Sequence, residues 1–304
     1  MGAPATDSRG GSVTGALSAL AAFVMWGFAP VYFKSVGRAR PLEVLSHRVV
    51  WSVALLAVAA LLLRRPQQIR QALGGPRRWA VFLLTSLLIS SNWLLYIWAV
   101  NAGHIVDSSL GYYINPLVNV LLGVIFLRER LSRPQITAVV LAFAGVASLI
   151  VGLGYLPWIS LVLPLQFGLY GLVRKKANVD PLVGLLAETA LLFPAALGFL
   201  LWLGARDESA FLAHGEGFAL LLAFAGIMTA LPLLLFLVGA QRLRLSTLGV
   251  IQYISPTCQL IAGVVLYREP FSTSHAVAFG LIWAGLALYT GDTFLALRRR
   301  QTVA

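Results

Sequence analysis

The sequence predicts an all-α integral membrane protein, with ten transmembrane helices arranged as two inverted-topology five-helix repeats. Three observations carry this expectation. Hydrophobic residues fill 59% of the 304 positions, only 11% are charged, and mean hydropathy is +0.84. Apolar runs of about 20 residues, each enough to cross a hydrocarbon core of about 30 Å, recur along the whole chain. Finally, Tyr113 to Gly145 lies over Tyr253 to Gly285 without a gap.

The runs fall at 14–34, 43–63, 79–100, 106–127, 134–152, 155–173, 181–203, 217–239, 246–267 and 273–294. Backbone polar groups cannot stay unpaired in lipid, so each run is expected to be a helix. The first follows a polar Gly/Ser/Thr tail (1–13), is too long for a signal-peptide core and lacks a cleavage site, so it is expected to persist as a span. The predicted organisation is a cytoplasmic tail 1–13, a five-helix unit 14–152, a second unit 155–294 and a cytoplasmic tail 295–304.

The net charge of +12 raises nucleic-acid binding as a class, and its distribution argues against it. With the N-terminus inside, the inner segments hold Arg9, Arg64, Arg65, Arg70, Arg77, Arg78, Arg128, Arg130, Arg133, Arg174, Lys175, Lys176, Arg242, Arg244 and Arg298 to Arg300. The outer segments hold only Lys34, Arg38, Arg40, Arg206 and Arg268. That alternation is the positive-inside pattern of a protein in a bacterial-type cytoplasmic (inner) membrane with both termini in the cytoplasm. The single cysteine, Cys258, lies mid-helix and can form neither an intrachain disulfide nor a thiolate cluster.

In the overlay, Tyr113-Ile114-Asn115-Pro116 meets Tyr253-Ile254-Ser255-Pro256, and Arg128-Glu129 meets Arg268-Glu269. Ser132 meets Ser272, and Ala144-Gly145 meets Ala284-Gly285. Apolar composition alone would not pair a Tyr, a Pro and an Arg-Glu couple in one register. The earlier helices match more faintly, through Pro41-Leu42 with Pro181-Leu182 and Trp26-Gly27 with Phe167-Gly168. Five helices per copy is an odd number, so equivalent helices run in opposite senses, and two such halves can expose one central site to each side in turn.

At these residues the chain resembles the EamA group of the drug/metabolite transporter superfamily. Met25-Trp26-Gly27-Phe28-Ala29-Pro30, Asn92-Trp93-Leu94-Leu95-Tyr96 and Ser109-Leu110-Gly111-Tyr112-Tyr113-Ile114-Asn115-Pro116 are similar to its RarD branch, and the resemblance covers about 14–295. It implies an exporter of small metabolites or drugs, with chloramphenicol-like compounds among the candidates.

A substrate site is sought where polar residues share a helix face. Tyr112, Asn115 and Asn119 fall on Gln252, Ser255 and Gln259, each set spaced i, i+3, i+7. Such paired stripes line a central cavity or make interhelical hydrogen bonds worth about 1 kcal/mol or less. Pro116 and Pro256 each remove one backbone hydrogen bond, giving a hinge or a fixed bend. Asn92 and Tyr96, Gln166 and Tyr170, and Trp26 extend the candidate set toward flat or partly apolar solutes, including amino-acid-like ones; singly, each aromatic also fits packing or an interfacial belt.

Ionisable residues at membrane depth are His47, Arg48 and Glu188. The repeat sets Arg48 on Glu188, so the two either pair, coupling transport to protons, or snorkel to the interface. Glu129 and Glu269 are expected to pair with neighbouring arginines, and Asp107 to cap its helix.

No zinc-ligand spacing, phosphate-binding Gly-rich loop or Gly-x-Ser-x-Gly turn is present, so an enzyme is not expected. Loops are too short for an ATPase domain. The expected partners are a small-molecule substrate, protons as a candidate coupling ion, and the lipid bilayer, with no cofactor, metal or nucleic acid; oligomeric state is left open. A lipid-linked-substrate flippase and a proton-coupled importer are the alternatives.

Overall fold

A computed structural model of the chain describes residues 8–63, 67, 74–128, 131–177, 179–243, 247–248 and 251–301, and among these there is no strand. In chain order the main helices are α1 (Ser8–Gly27), α2 (Ala29–Ser35), α3 (Pro41–Leu62), α4 (Pro76–Ala102), α5 (Ile105–Leu127), α6 (Arg133–Leu153) and α7 (Trp158–Ala177). They continue with α8 (Pro181–Ala205), α9 (Ala210–Ala213), α10 (Gly215–Ala223), α11 (Ala225–Arg242), α12 (Ile254–Ile261), a π-helical turn Ala262–Leu266, and α13 (Thr273–Gln301). Proline stands in the first turn of α3, α4, α6 and α8, where no donor is lost. Gly103 and Gly154 close α4 and α6 at φ of 84° and 72°, the left-handed end that glycine permits.

Seven described helices are long and apolar enough to cross a membrane, and the pair Val13–Gly27 and Ala29–Ser35, bent by 40°, makes an eighth. Two shorter apolar helices, Trp158–Arg174 and Ile254–Leu266, lie on the expected spans 155–173 and 246–267. The apolar stretch of the first ends at Arg174, while the helix itself runs on to Ala177. The second is short because the chain turns at Gln252–Tyr253, just before Pro256. Its counterpart α5 runs unbroken through Pro116, so the two matched prolines do not produce matched bends.

The bundle is organised by pairs: α6 against α13, α1 against α11, α5 against α7, α3 against α8 and α11, α4 against α7 and α8, and α12 against α1 and α5. Small residues let backbones approach. A Cβ on Gly145 would stand 3.0 Å from the Ala278 carbonyl oxygen, and one on Gly285 would stand 2.8 Å from that of Ala138. With no hydrophobic drive between helices in lipid, this close packing is what holds α6 to α13.

Helix α5 starts in an unforeseen way. Its first N–H groups have no partner within the helix. Glu269 supplies them: Oε1 accepts from Ile105 N at 2.9 Å and Oε2 from Val106 N at 2.8 Å. Glu269 therefore caps a helix remote in sequence rather than pairing with Arg268, and a carboxylate there also suits the positive end of the helix. Asp107, expected as the cap, instead meets His104 Nδ1 at 3.0 Å, while Glu129 lies outside the described residues. Replacing Glu269 with alanine is expected to cost about 1–2 kcal/mol, read as a lower unfolding midpoint in detergent, with Glu269→Gln losing less because its amide oxygen still accepts.

Candidate functional site

The α5 stripe and the α12 region meet across the centre of the bundle. The Tyr113 and Tyr253 rings stack with centroids 6.2 Å apart, the Tyr113 hydroxyl bonds to Thr257, and Ser109 Oγ donates to the Pro256 carbonyl at 2.8 Å. Tyr112 is half-buried and stands edge-on to Tyr96 at 5.6 Å. Asn115 is also half-buried, and its Oδ1 has no protein partner. Asn119 is exposed, with Oδ1 against Gly168 of α7. Gln252 lies half-buried in the turn before α12. Ser255 and Gln259 are buried and bonded to each other at 3.3 Å.

Several candidates are engaged by the backbone. Pro30 cannot donate to the Trp26 carbonyl one turn back, and Gln259 Nε2 fills that place at 3.3 Å. Asn92 Nδ2 donates to the Leu163 carbonyl at 2.9 Å and ties α4 to α7. Gln166 donates to Ser91 Oγ at 3.2 Å. The Trp26 ring packs on Phe23 and Phe236, at 5.4 Å and 6.0 Å. The structure therefore brings Tyr96, Tyr112 and Asn115 to one region, Ser255, Gln259 and the Trp26 carbonyl to a second, and Asn92 and Gln166 to the α4–α7 seam.

The charged residues separate as well. Arg48 and Glu188 make no pair. Glu188 accepts from the Tyr170 hydroxyl at 3.0 Å and faces Arg174 Nε at 3.5 Å, between α7 and α8. Arg48 lies instead over the Trp93 ring at 4.1 Å and near the Phe33 ring at 5.8 Å. Neither snorkels: Glu188 is fully buried, and Arg48 is held within the bundle. His47 stacks on Phe211 at 4.8 Å with both ring nitrogens unpartnered, beside an open cleft of about 460 Å³ that Leu200, Leu201 and Leu212 also line.

The contacts of three charged residues escaped the sequence argument. Glu43 is buried one turn before His47 and accepts from Ser209 Oγ at 3.2 Å and Phe211 N at 3.3 Å. Arg174, read as a topological charge, reaches back to Glu188; Gly184, one turn before Glu188, was the available signal, because a Cβ there would collide with the guanidinium of Arg174. Glu269 is the third. Among the described residues no three His, Cys, Asp or Glu side chains gather as a metal site.

The EamA-like transporter family matches residues 13–151 and again 156–291. Protein RarD of Streptomyces exfoliatus is 47% identical over 95% of this chain and 91% of its own. Protein RarD of Escherichia coli K12 is 42% identical over 94% of this chain and 96% of its own. The chloramphenicol-sensitive protein RarD of Pseudomonas aeruginosa PAO1 is 32% identical, again over 94% and 96%. A solved crystal structure at 21% identity superposes with a TM-score of 0.59 over 91% of this chain and 97% of that one, a likeness of fold. Matched twice by one family and similar along nearly its whole length to RarD proteins, this multi-pass membrane polypeptide belongs to the EamA-like transporter family.

Proposed function

We propose that the protein is a secondary transporter of the bacterial cytoplasmic membrane that exports small organic metabolites or drugs by alternating access, and that it is not an enzyme. It works as ten spans in two inverted halves, 14–152 and 155–294, with both termini in the cytoplasm. The observation that carries this is reciprocity. Tyr113 stacks on its repeat mate Tyr253, and Gly145 meets Ala278 as Gly285 meets Ala138. Arg128 and Arg268 share a left-handed backbone at φ of 55° and 53°, and Ser132 caps α6 through Gln135 as Ser272 bonds His275. Gly27 faces Ser255 and Cys258 as Gly168 faces Val118 and Asn119. Exchanging the halves maps α1 with α11 onto α7 with α4 and α1 with α12 onto α7 with α5, while α6 with α13, α3 with α8 and α5 with α12 map onto themselves. Halves that interlock this way can exchange packings, each open to one side, and this supports alternating access.

The unpartnered Asn115 Oδ1 and the half-buried Gln252 in its turn support a role for both in the solute site. Asn115→Ala and Gln252→Ala, tested singly in reconstituted vesicles, are expected to cut solute flux several-fold while folded protein is retained. Normal flux in both removes them from the site. The chloramphenicol-sensitive RarD relative makes chloramphenicol an early solute to try, and proton coupling is tested by driving flux with an imposed pH gradient. Cysteine labelling near 130 and near 270 should report opposite sides of the bilayer.

A further inference from the structure

Resting on the transporter reading, we infer that Arg48 binds the anionic group of the solute, so that the protein's substrates are carboxylates, or similar small anions, carried on a flat or apolar body. A cation inside a membrane bundle is costly unless a carboxylate or a ring of hydrogen-bond acceptors compensates it. Arg48 has neither. Among the described residues it has no hydrogen-bond or ion-pair partner, and its Nε is buried without one. The ionisable neighbours that act on it are the phenols of Tyr112, Tyr32 and Tyr96, with no carboxylate among them. Its protein contacts are ring faces, Trp93 at 4.1 Å and Phe33 at 5.8 Å, which hold a guanidinium in place and leave its edge donors free.

The surroundings point the same way. Arg48 lies among α2, α3, α4 and α5, and it is half-buried rather than fully enclosed. Tyr96 is buried with a hydroxyl that has no partner, and its ring stands edge-on to Phe33 at 5.8 Å and to Tyr112 at 5.6 Å. Tyr32 is committed elsewhere, its hydroxyl donating to the Leu221 carbonyl at 2.9 Å. A free guanidinium and a free phenol among aromatic walls present donors with no acceptor. A carboxylate accepts from both, and Arg forks match its two oxygens. The half-buried ring of Tyr112 offers the apolar remainder of the solute a surface to lie against.

The test measures equilibrium binding by the full chain in nanodiscs of neutral lipid, using matched probes: benzoate against benzamide, and indole-3-acetate against indole-3-acetamide. Thermal stabilisation reports binding, since a ligand of the folded state raises the unfolding midpoint. The acids are expected to stabilise the wild type and the amides not. Arg48→Gln should weaken acid binding at least about tenfold, the size expected for a lost charge-assisted bond. Arg48→Lys should keep part of it, and Tyr96→Phe should weaken it less than Arg48→Gln. Equal effects of acid and amide on the wild type, no stabilisation by either acid, or undiminished acid binding by Arg48→Gln would each overturn the inference. Loss of acid binding when phosphatidylglycerol is added would also overturn it, by assigning the site to a lipid headgroup. Flux in proteoliposomes separates this claim from the one beneath it. Arg48-dependent acid binding without flux refutes the transport reading alone, whereas equal flux of acid and amide refutes the anion site alone.

Discussion

Gly285→Leu is expected to abolish most folded protein, whereas Gly280→Ala, less than two turns away on the same helix, should leave stability unchanged or slightly raised. The two positions differ only in what lies above them. A Cβ on Gly285 would sit 2.8 Å from the Ala138 carbonyl oxygen and 3.5 Å from Ala138 Cα, which are backbone atoms that cannot rotate away. A Cβ on Gly280 meets nothing within 4 Å. At Gly280 alanine therefore gains helix propensity of up to about 1 kcal/mol. At Gly285 even alanine must push α13 from α6, and overpacking of this kind costs about 1–3 kcal/mol, more for leucine. Ala138 and Ala278 are both fully buried, so no slack exists at the crossing. Gly145→Leu should be milder: its Cβ would sit 3.0 Å from the Ala278 oxygen and 3.2 Å from Ile282 Cγ1, which can rotate away, and the Leu281 Cβ at 3.4 Å is an ordinary contact. Size-exclusion recovery and unfolding midpoints of Gly285→Ala, Gly285→Leu, Gly145→Leu and Gly280→Ala check the order; equal stability of Gly285→Ala and Gly280→Ala would show that the crossing is not tight.

The same glycines show what the sequence made legible. Gly145 and Gly285 stood in one register of the overlay, and that register recurs in the close approaches, in the left-handed Arg128 and Arg268, and in the paired serine caps. Helix positions followed from apolar length, because lipid admits only saturated helices, and seven or eight of the described helices are long and apolar enough to span. Breaks did not follow. Nothing in the hydropathy of 246–267 distinguishes the turn at Gln252–Tyr253, or the π-turn at Ala262–Leu266, from unbroken α5. The overlay found polar residues but not their partners. Gln259 and Asn92 look like cavity groups in a stripe, yet one answers the carbonyl freed by Pro30 and the other the carbonyl of Leu163. Partner choice depends on how helices rotate against each other, and one apolar residue fits many rotations. Glu269 on Ile105 and Val106 is the same problem at long range.

Glu188→Ala is expected to destabilise the protein by about 3–5 kcal/mol, the usual result of removing one member of a buried ion pair. Glu188 is fully buried and Arg174 nearly so, at 12% side-chain exposure. The loss of the carboxylate leaves the guanidinium facing the vacated site, with Nη1 already unpartnered and only a 3.4 Å bond from Nη2 to the Asp180 carbonyl. It also strands the Tyr170 hydroxyl, which donates to Glu188 at 3.0 Å. The double variant Glu188→Leu with Arg174→Met should recover much of the loss, because no charge remains to be solvated, and a double-mutant cycle of unfolding midpoints reads the coupling directly. If the two single costs simply add, the pair is not a unit. Gly184→Ala gives an independent check without touching either charge. Its new methyl would displace the Arg174 guanidinium, a flexible side-chain end that can give way, so it should cost less than Arg174→Met but more than Gly171→Ala on α7, where a Cβ meets nothing.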